Sequence, residues 1–131
     1  MSPSDRSLVE TYFKAMQAGA DGEGDMLSIW ADDGVYVEPF TGQGQRREHA
    51  GKEAIHAFFK QSYDAHMTPV RITLDRLDVD GDRLRSEWTC LMPGMPEFSG
   101  HDLYTIRDGK IARLEVYVDR MPPMPGGPPP A

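Results

Sequence analysis

One carboxylate stands out in the C-terminal third of this chain. In Phe98–Asp119, FSGHDLYTIRDGKIARLEVYVD, apolar and polar residues alternate on both sides of Asp108-Gly109, a dipeptide that marks a tight β-hairpin. A two-residue loop would set Asp102 opposite Glu115 and mix charge into both faces. A three-residue loop, Arg107-Asp108-Gly109 with Gly109 left-handed, sets Asp102 opposite Leu114. That loop gathers Phe98, Gly100, Tyr104, Ile106, Ala112, Leu114, Val116 and Val118 on one face. One-sided burial selects this second register. Asp102 is then the lone charge on an apolar face, where a carboxyl must be paired, hydrogen-bonded or protonated. It either caps a backbone group or meets an arginine near the sheet end, or it is a desolvated acid able to exchange protons.

Few other residues offer chemistry from their pattern alone. Tyr12 lies in a helical apolar stripe and needs a hydrogen-bond partner for its hydroxyl if buried. Glu38 ends a short β-rich run, Val35–Glu38, halted by Pro39; a glutamate there is ordinarily solvated. His49, His56, His66 and His101 lack metal-ligand spacing, so no metal site is expected. His101 should face away from Asp102, which argues against a His–Asp dyad. Cys90 has no evident basic neighbour and reads as a small buried apolar residue.

The elements that must position these residues follow in order. Ser2-Pro3-Ser4-Asp5 reads as a helix start, Leu8, Val9, Tyr12, Phe13 and Met16 recur at helical spacing, and Gly19 ends the helix. Asp25 opens a short second helix with Met26, Ile29 and Trp30 on one face, stopping at Asp32-Asp33-Gly34. In the strand Val35–Glu38, Tyr36 and Glu38 point to one side. Phe40–Ala50 reads as a polar, glycine-containing loop forming a rim or lid. Gly51–Ile55 opens a third helix, with Ile55, Phe58, Phe59, Ser62 and Tyr63 inward. Arg71–Val79 is a strand, Leu84, Ser86, Trp88, Cys90 and Met92 alternate along the next, and the hairpin closes the chain. This predicts an α+β fold: three N-terminal helices packed on the concave face of a cone-shaped, curved antiparallel sheet. A cone of this kind encloses an apolar interior suited to small ligands.

The chain has 131 residues, the size of one domain, here 1–120, followed by a Pro/Gly-rich tail at 121–131. A net charge of −7 argues against nucleic acid as a partner. The single cysteine excludes an internal disulfide and suits a reducing cytoplasm. No apolar run of membrane-spanning length and no signal peptide is present, so no membrane association is expected.

Glu10-Thr-Tyr12-Phe, Trp30-Ala-Asp-Asp-Gly-Val-Tyr-Val-Glu38-Pro39, Gly51-Lys-Glu-Ala-Ile55-His-Ala-Phe-Phe59 and Asp108-Gly-Lys-Ile111 through Tyr117 resemble the nuclear-transport-factor-2-like superfamily, which includes SnoaL-like polyketide cyclases and ketosteroid isomerase. These motifs are specific for the fold and weak for function, because the activities hosted on that fold are many. The resemblance to ketosteroid isomerase implies three catalytic positions: the first-helix tyrosine at Tyr12, the base before proline at Glu38 (an aspartate in that enzyme) and the sheet acid at Asp102. Two tyrosines that support the helix tyrosine would fall on Trp30, which can donate one bond, and Phe59, which cannot. The substrate wall would comprise Tyr36, Phe59, Trp88, Phe98, Leu114, Val116 and Val118. No cofactor is implied. Three functions stay open: acid–base chemistry on an apolar carbonyl compound (isomerase, cyclase or dehydratase), non-catalytic carriage of a small hydrophobic ligand, and a dimeric interaction module. The resemblance also implies a homodimer through the outer sheet face, around Arg113, Glu115 and Tyr117.

Overall fold

A computed structural model describes residues 3–39, 45–64, 71–91 and 97–120. Helix α1 (Pro3–Ala18) and a short 3-10 turn (Gly19–Gly22) lead into α2 (Glu23–Ser28) and strand β1 (Trp30–Glu38). Strand β2 (Arg47–Ala50) precedes helix α3 (Lys52–Asp64), and β3 (Arg71–Asp80), β4 (Arg83–Leu91), β5 (Phe98–Arg107) and β6 (Lys110–Arg120) complete the chain. The six strands form one curved sheet in the order β2-β1-β6-β5-β4-β3. Its helices cover the concave side, giving the expected α+β architecture.

The core forms where the helical stripes meet the inward residues of the sheet. Val9, Tyr12 and Phe13 from α1 and Ile55 and Phe59 from α3 bury against Leu84, Trp88, Tyr104, Ile111 and Leu114. Alternation along β4 and β5 follows the sequence pattern: Leu84, Ser86, Trp88 and Cys90, then Phe98, Gly100, Asp102, Tyr104 and Ile106, all face inward. The proline-rich tail, Met92 and the side chains of Ser62 and Tyr63 lie outside the described residues.

The sheet departs from the sequence reading in three places. Helix α2 stops at Ser28, and Trp30 begins β1 instead of completing a helical face. The cause is a long-range backbone partner: β1 runs parallel to β6, with Trp30 opposite Ile111 and the Ile111 N–H donating to the Ile29 carbonyl at 2.8 Å. Part of the expected Phe40–Ala50 loop is strand β2, antiparallel to β1, with His49 opposite Tyr36 and Arg47 opposite Glu38. Residues 40–44 of that loop lie outside the description.

The closing hairpin is the third. Its loop has two residues, Asp108 and Gly109, both at positive φ (53° and 74°), with Arg107 opposite Lys110. Such a turn matches the strand twist and tolerates Asp-Gly. A bulge between Thr105 and Ile106 then shifts the pairing, so Asp102 stands opposite Val116 and Tyr104 opposite Leu114. An extra residue restores the one-sided face that the three-residue loop was meant to give. Ile111, fully buried, takes the inward place expected for Ala112.

Candidate functional site

Asp102 is 2% exposed, on the inner face of β5. Its Oδ1 accepts a hydrogen bond from Trp88 Nε1 at 2.9 Å, and its Oδ2 accepts from the Tyr104 hydroxyl at 3.1 Å and from Ser86 Oγ at 3.4 Å. Ser86 and Tyr104 share a further bond of 2.7 Å. Each donor is placed by the sheet. Ser86 is the direct β4 partner of Asp102, Tyr104 lies two residues along β5, and Trp88 lies across from Gly100. A Cβ at position 100 would stand 2.6 Å from the Trp88 ring, so glycine there leaves the indole room to reach Asp102.

Burial and hydrogen bonding act on this carboxyl in opposite senses. Loss of water raises its pKa; the bonds from Trp88, Tyr104 and Ser86 lower it; the balance leaves it pushed up to about 7. At neutral pH the group therefore populates both its acid and its anion. Three converging donors suit the anion, whereas the neutral form can donate into the same network once a hydroxyl reorients.

Tyr12 is 1% exposed. Its hydroxyl hydrogen-bonds that of Tyr36, and its ring meets those of Tyr104 at 6.3 Å and Phe59 at 6.5 Å edge-on. Burial, then the fields of Tyr36, Asp102 and Tyr104, hold its pKa well above the ordinary phenol value. Tyr12 therefore stays protonated and is a donor. Tyr36 is likewise raised, by burial first, against the lowering effect of its bond to Tyr12; Asp102 and Glu38 add to the rise. It thus lies within the field of both carboxyls.

The support for Tyr12 comes from Tyr36, with Tyr104 at ring contact, and not from the Trp30 and Phe59 positions that the resemblance implied. Trp30 Nε1 is the buried side-chain polar atom that finds no hydrogen-bond partner among the described residues, and its indole meets the Tyr36 ring edge-on at 5.9 Å. Phe59 contributes ring packing alone.

Glu38 is withdrawn from solvent altogether, at 0% exposure, contrary to a solvated strand end. Its Oε2 lies 2.9 Å from Nε2 of His49 on β2, a residue 7% exposed. Sequence reading missed His49 because the run around it, Gln45-Arg-Arg-Glu-His49, looks like a polar loop. The one available signal was alternation: in Glu48-His49-Ala50 only the middle residue points inward.

The expected wall residues Tyr36, Phe59, Trp88, Phe98, Leu114 and Val116 are all buried in the core, and Val118 packs against it half-buried. A surface depression beside Asp32, Lys52, Glu53 and His56 contains none of the candidate residues. Among the described residues no cluster of three or more His, Cys, Asp or Glu could hold a metal ion, and no helix is long and apolar enough to cross a membrane.

A buried tyrosine pair within the field of enclosed carboxyls thus sits inside a helix-covered curved sheet. The SnoaL-like domain family matches residues 9–114. The chain belongs to that family. This SnoaL-like chain is also similar to solved structures. A candidate polyketide cyclase from Sinorhizobium meliloti is 25% identical, with a TM-score of 0.69 over 85% of this chain and 94% of the other. A candidate ketosteroid isomerase from Kribbella flavida is 18% identical, with a TM-score of 0.71 over 98% and 84%. A de novo designed protein with a curved β-sheet is 22% identical, with a TM-score of 0.70 over 91% and 88%. The last two show the shared fold alone. No curated protein sequence matches significantly.

Proposed function

We propose that this SnoaL-like chain binds a small apolar carbonyl compound and moves a proton on it by acid–base catalysis. The observation carrying the reading is that two enclosed carboxyls act on the Tyr12–Tyr36 pair: Glu38, hydrogen-bonded to His49, and Asp102, pushed up to about 7. A buried carboxyl with a raised pKa beside a second enclosed carboxyl is a recurrent arrangement for acid and base roles.

In this reading Glu38 removes a proton from the carbon next to the carbonyl. The C–H electron pair becomes the double bond of the enolate, and the carbonyl oxygen takes the charge. Tyr12 donates a hydrogen bond to that oxygen, and Asp102 in its neutral form supports it through the network. The same Glu38 carboxyl returns the proton at the far end of a conjugated system, or at the same carbon. No cofactor enters the balance. Because Tyr12, Glu38 and Asp102 are 1, 0 and 2% exposed, a ligand must displace part of the packed concave face, which favours small and apolar compounds. A homodimer through the outer face around Arg113, Glu115 and Tyr117 is part of the same proposal.

That enclosure also favours a second reading, in which the network is structural and the chain carries a hydrophobic ligand without turnover. Deuterium exchange at the acidic carbon of a panel of conjugated ketones separates the two. Glu38→Gln keeps shape and should abolish exchange with ligand affinity nearly unchanged, and Tyr12→Phe should slow it by ~10²–10³. Exchange equal to wild type in Glu38→Gln removes Glu38 from the base role, and a silent wild type leaves the carrier.

A further inference from the structure

We infer that His49 is the positioning residue of the base, its Nε2–H holding Oε2 of Glu38 so that strand β2 sets where the proton-accepting carboxylate stands. This rests on the acid–base reading above and deepens it. Glu38 has no contact with water, and an ionised carboxylate withdrawn from water is retained only with a hydrogen-bonding or charged partner. Arg47 is its direct neighbour across β1 and β2 and is itself exposed. His49, one step diagonal from Glu38, is enclosed with it, and the 2.9 Å separation is that of a charge-assisted hydrogen bond. Since a carboxylate can only accept, the proton between them belongs to Nε2.

The imidazole is itself fixed. Its ring stacks on Tyr36 at 6.1 Å and 30°, and packs against Phe58 of α3 at 4.6 Å. Tyr36 in turn bonds Tyr12, so the base and the oxyanion donor are registered to each other through one chain of contacts, Glu38–His49–Tyr36–Tyr12. Glutamate has a flexible stem and does not fix its carboxylate unaided. A misplacement of ~1 Å at a reacting group can slow catalysis ~10²-fold, so the anchor has consequence for rate and not for binding.

The test compares His49→Phe, His49→Gln and His49→Asn in the full chain, using ketone deuterium exchange with kcat and KM separated and thermal melting as the check on folding. Phe keeps the ring between Tyr36 and Phe58 but has no N–H. Gln places an amide N–H near the Nε2 position, and Asn falls short of it. His49→Phe and His49→Asn should lose ~10²-fold in kcat with KM within about twofold, and His49→Gln should recover to within ~10-fold of wild type. A folded His49→Phe or His49→Asn with wild-type kcat overturns the inference, as does a His49→Gln no better than His49→Asn. The polar pair keeps the comparison available if His49→Phe does not fold. A wild type that exchanges none of the ketones overturns the acid–base reading itself, and this role of His49 with it.

Discussion

Trp88 lies over Gly100 and donates its indole N–H to Asp102, the side chain two residues further along the neighbouring strand. The empty position between them is what makes the contact possible. A Cβ on residue 100 would stand 2.0 Å from the Tyr117 carbonyl oxygen as well as 2.6 Å from the Trp88 ring. Backbone closes one side and a packed indole the other.

Gly100→Ala should therefore destabilise the fold by roughly 3 kcal/mol, the upper end of overpacking penalties, and detach Trp88 from Asp102. Urea unfolding followed by tryptophan fluorescence measures both effects. An unchanged midpoint would mean that the β5–β6 backbone opens at little cost.

The Asp102 carboxyl carries a pH signature. Its pKa is about 7 in the folded chain against 3.8 for a free aspartate carboxyl, so between these values the folded state binds the extra proton. Its contribution to stability is complete below pH ~4, declines as pH rises towards ~7 and is then gone, a swing on the order of 4 kcal/mol. Asp102→Asn removes this slope: its amide oxygen can still accept from Trp88, and its N–H can donate to Tyr104 or Ser86. The variant should match wild type near pH 4 and exceed it at pH 8. A stability difference that stays constant over that interval would show that Asp102 does not titrate there.

The tyrosine pair should separate into unequal roles. Tyr36→Phe deprives Tyr12 of a hydroxyl partner without removing Tyr12 as a donor, so a loss of about one hydrogen bond, roughly tenfold in exchange rate, is expected. That is smaller than the effect of Tyr12→Phe. Equal losses from the two variants would place both hydroxyls on the substrate oxygen.

Local pattern carried much of this architecture. The helical stripe around Tyr12, the alternation along β4 and β5 and the apolar face around Asp102 are all legible because each is one element burying one face. Face is set by parity, so the correct side for Asp102 emerged even though the loop has two residues and a bulge supplies the shift. What sequence hides is pairing at a distance. Trp30 is strand and not helix because β6 lies beside it, and His49 is buried because β2 lies beside β1. The tyrosine that supports Tyr12 was mislocated for the same reason: Tyr36 reaches it only through the fold.

The parallel union of β1 with β6 also governs when the molecule can become functional. Val37 finds its neighbour Glu115 only after most of the chain has been made, and the hairpin ending in β6 must exist to receive β1. Closing so long a loop costs entropy before any contact repays it, and such topologies fold slowly. Glu38 rides on β1, whereas Asp102 belongs to the β5–β6 hairpin, which pairs locally. The two carboxyls therefore share one sheet only once β1 lies beside β6, and a nascent chain lacking its C-terminal strand has no strand to join them.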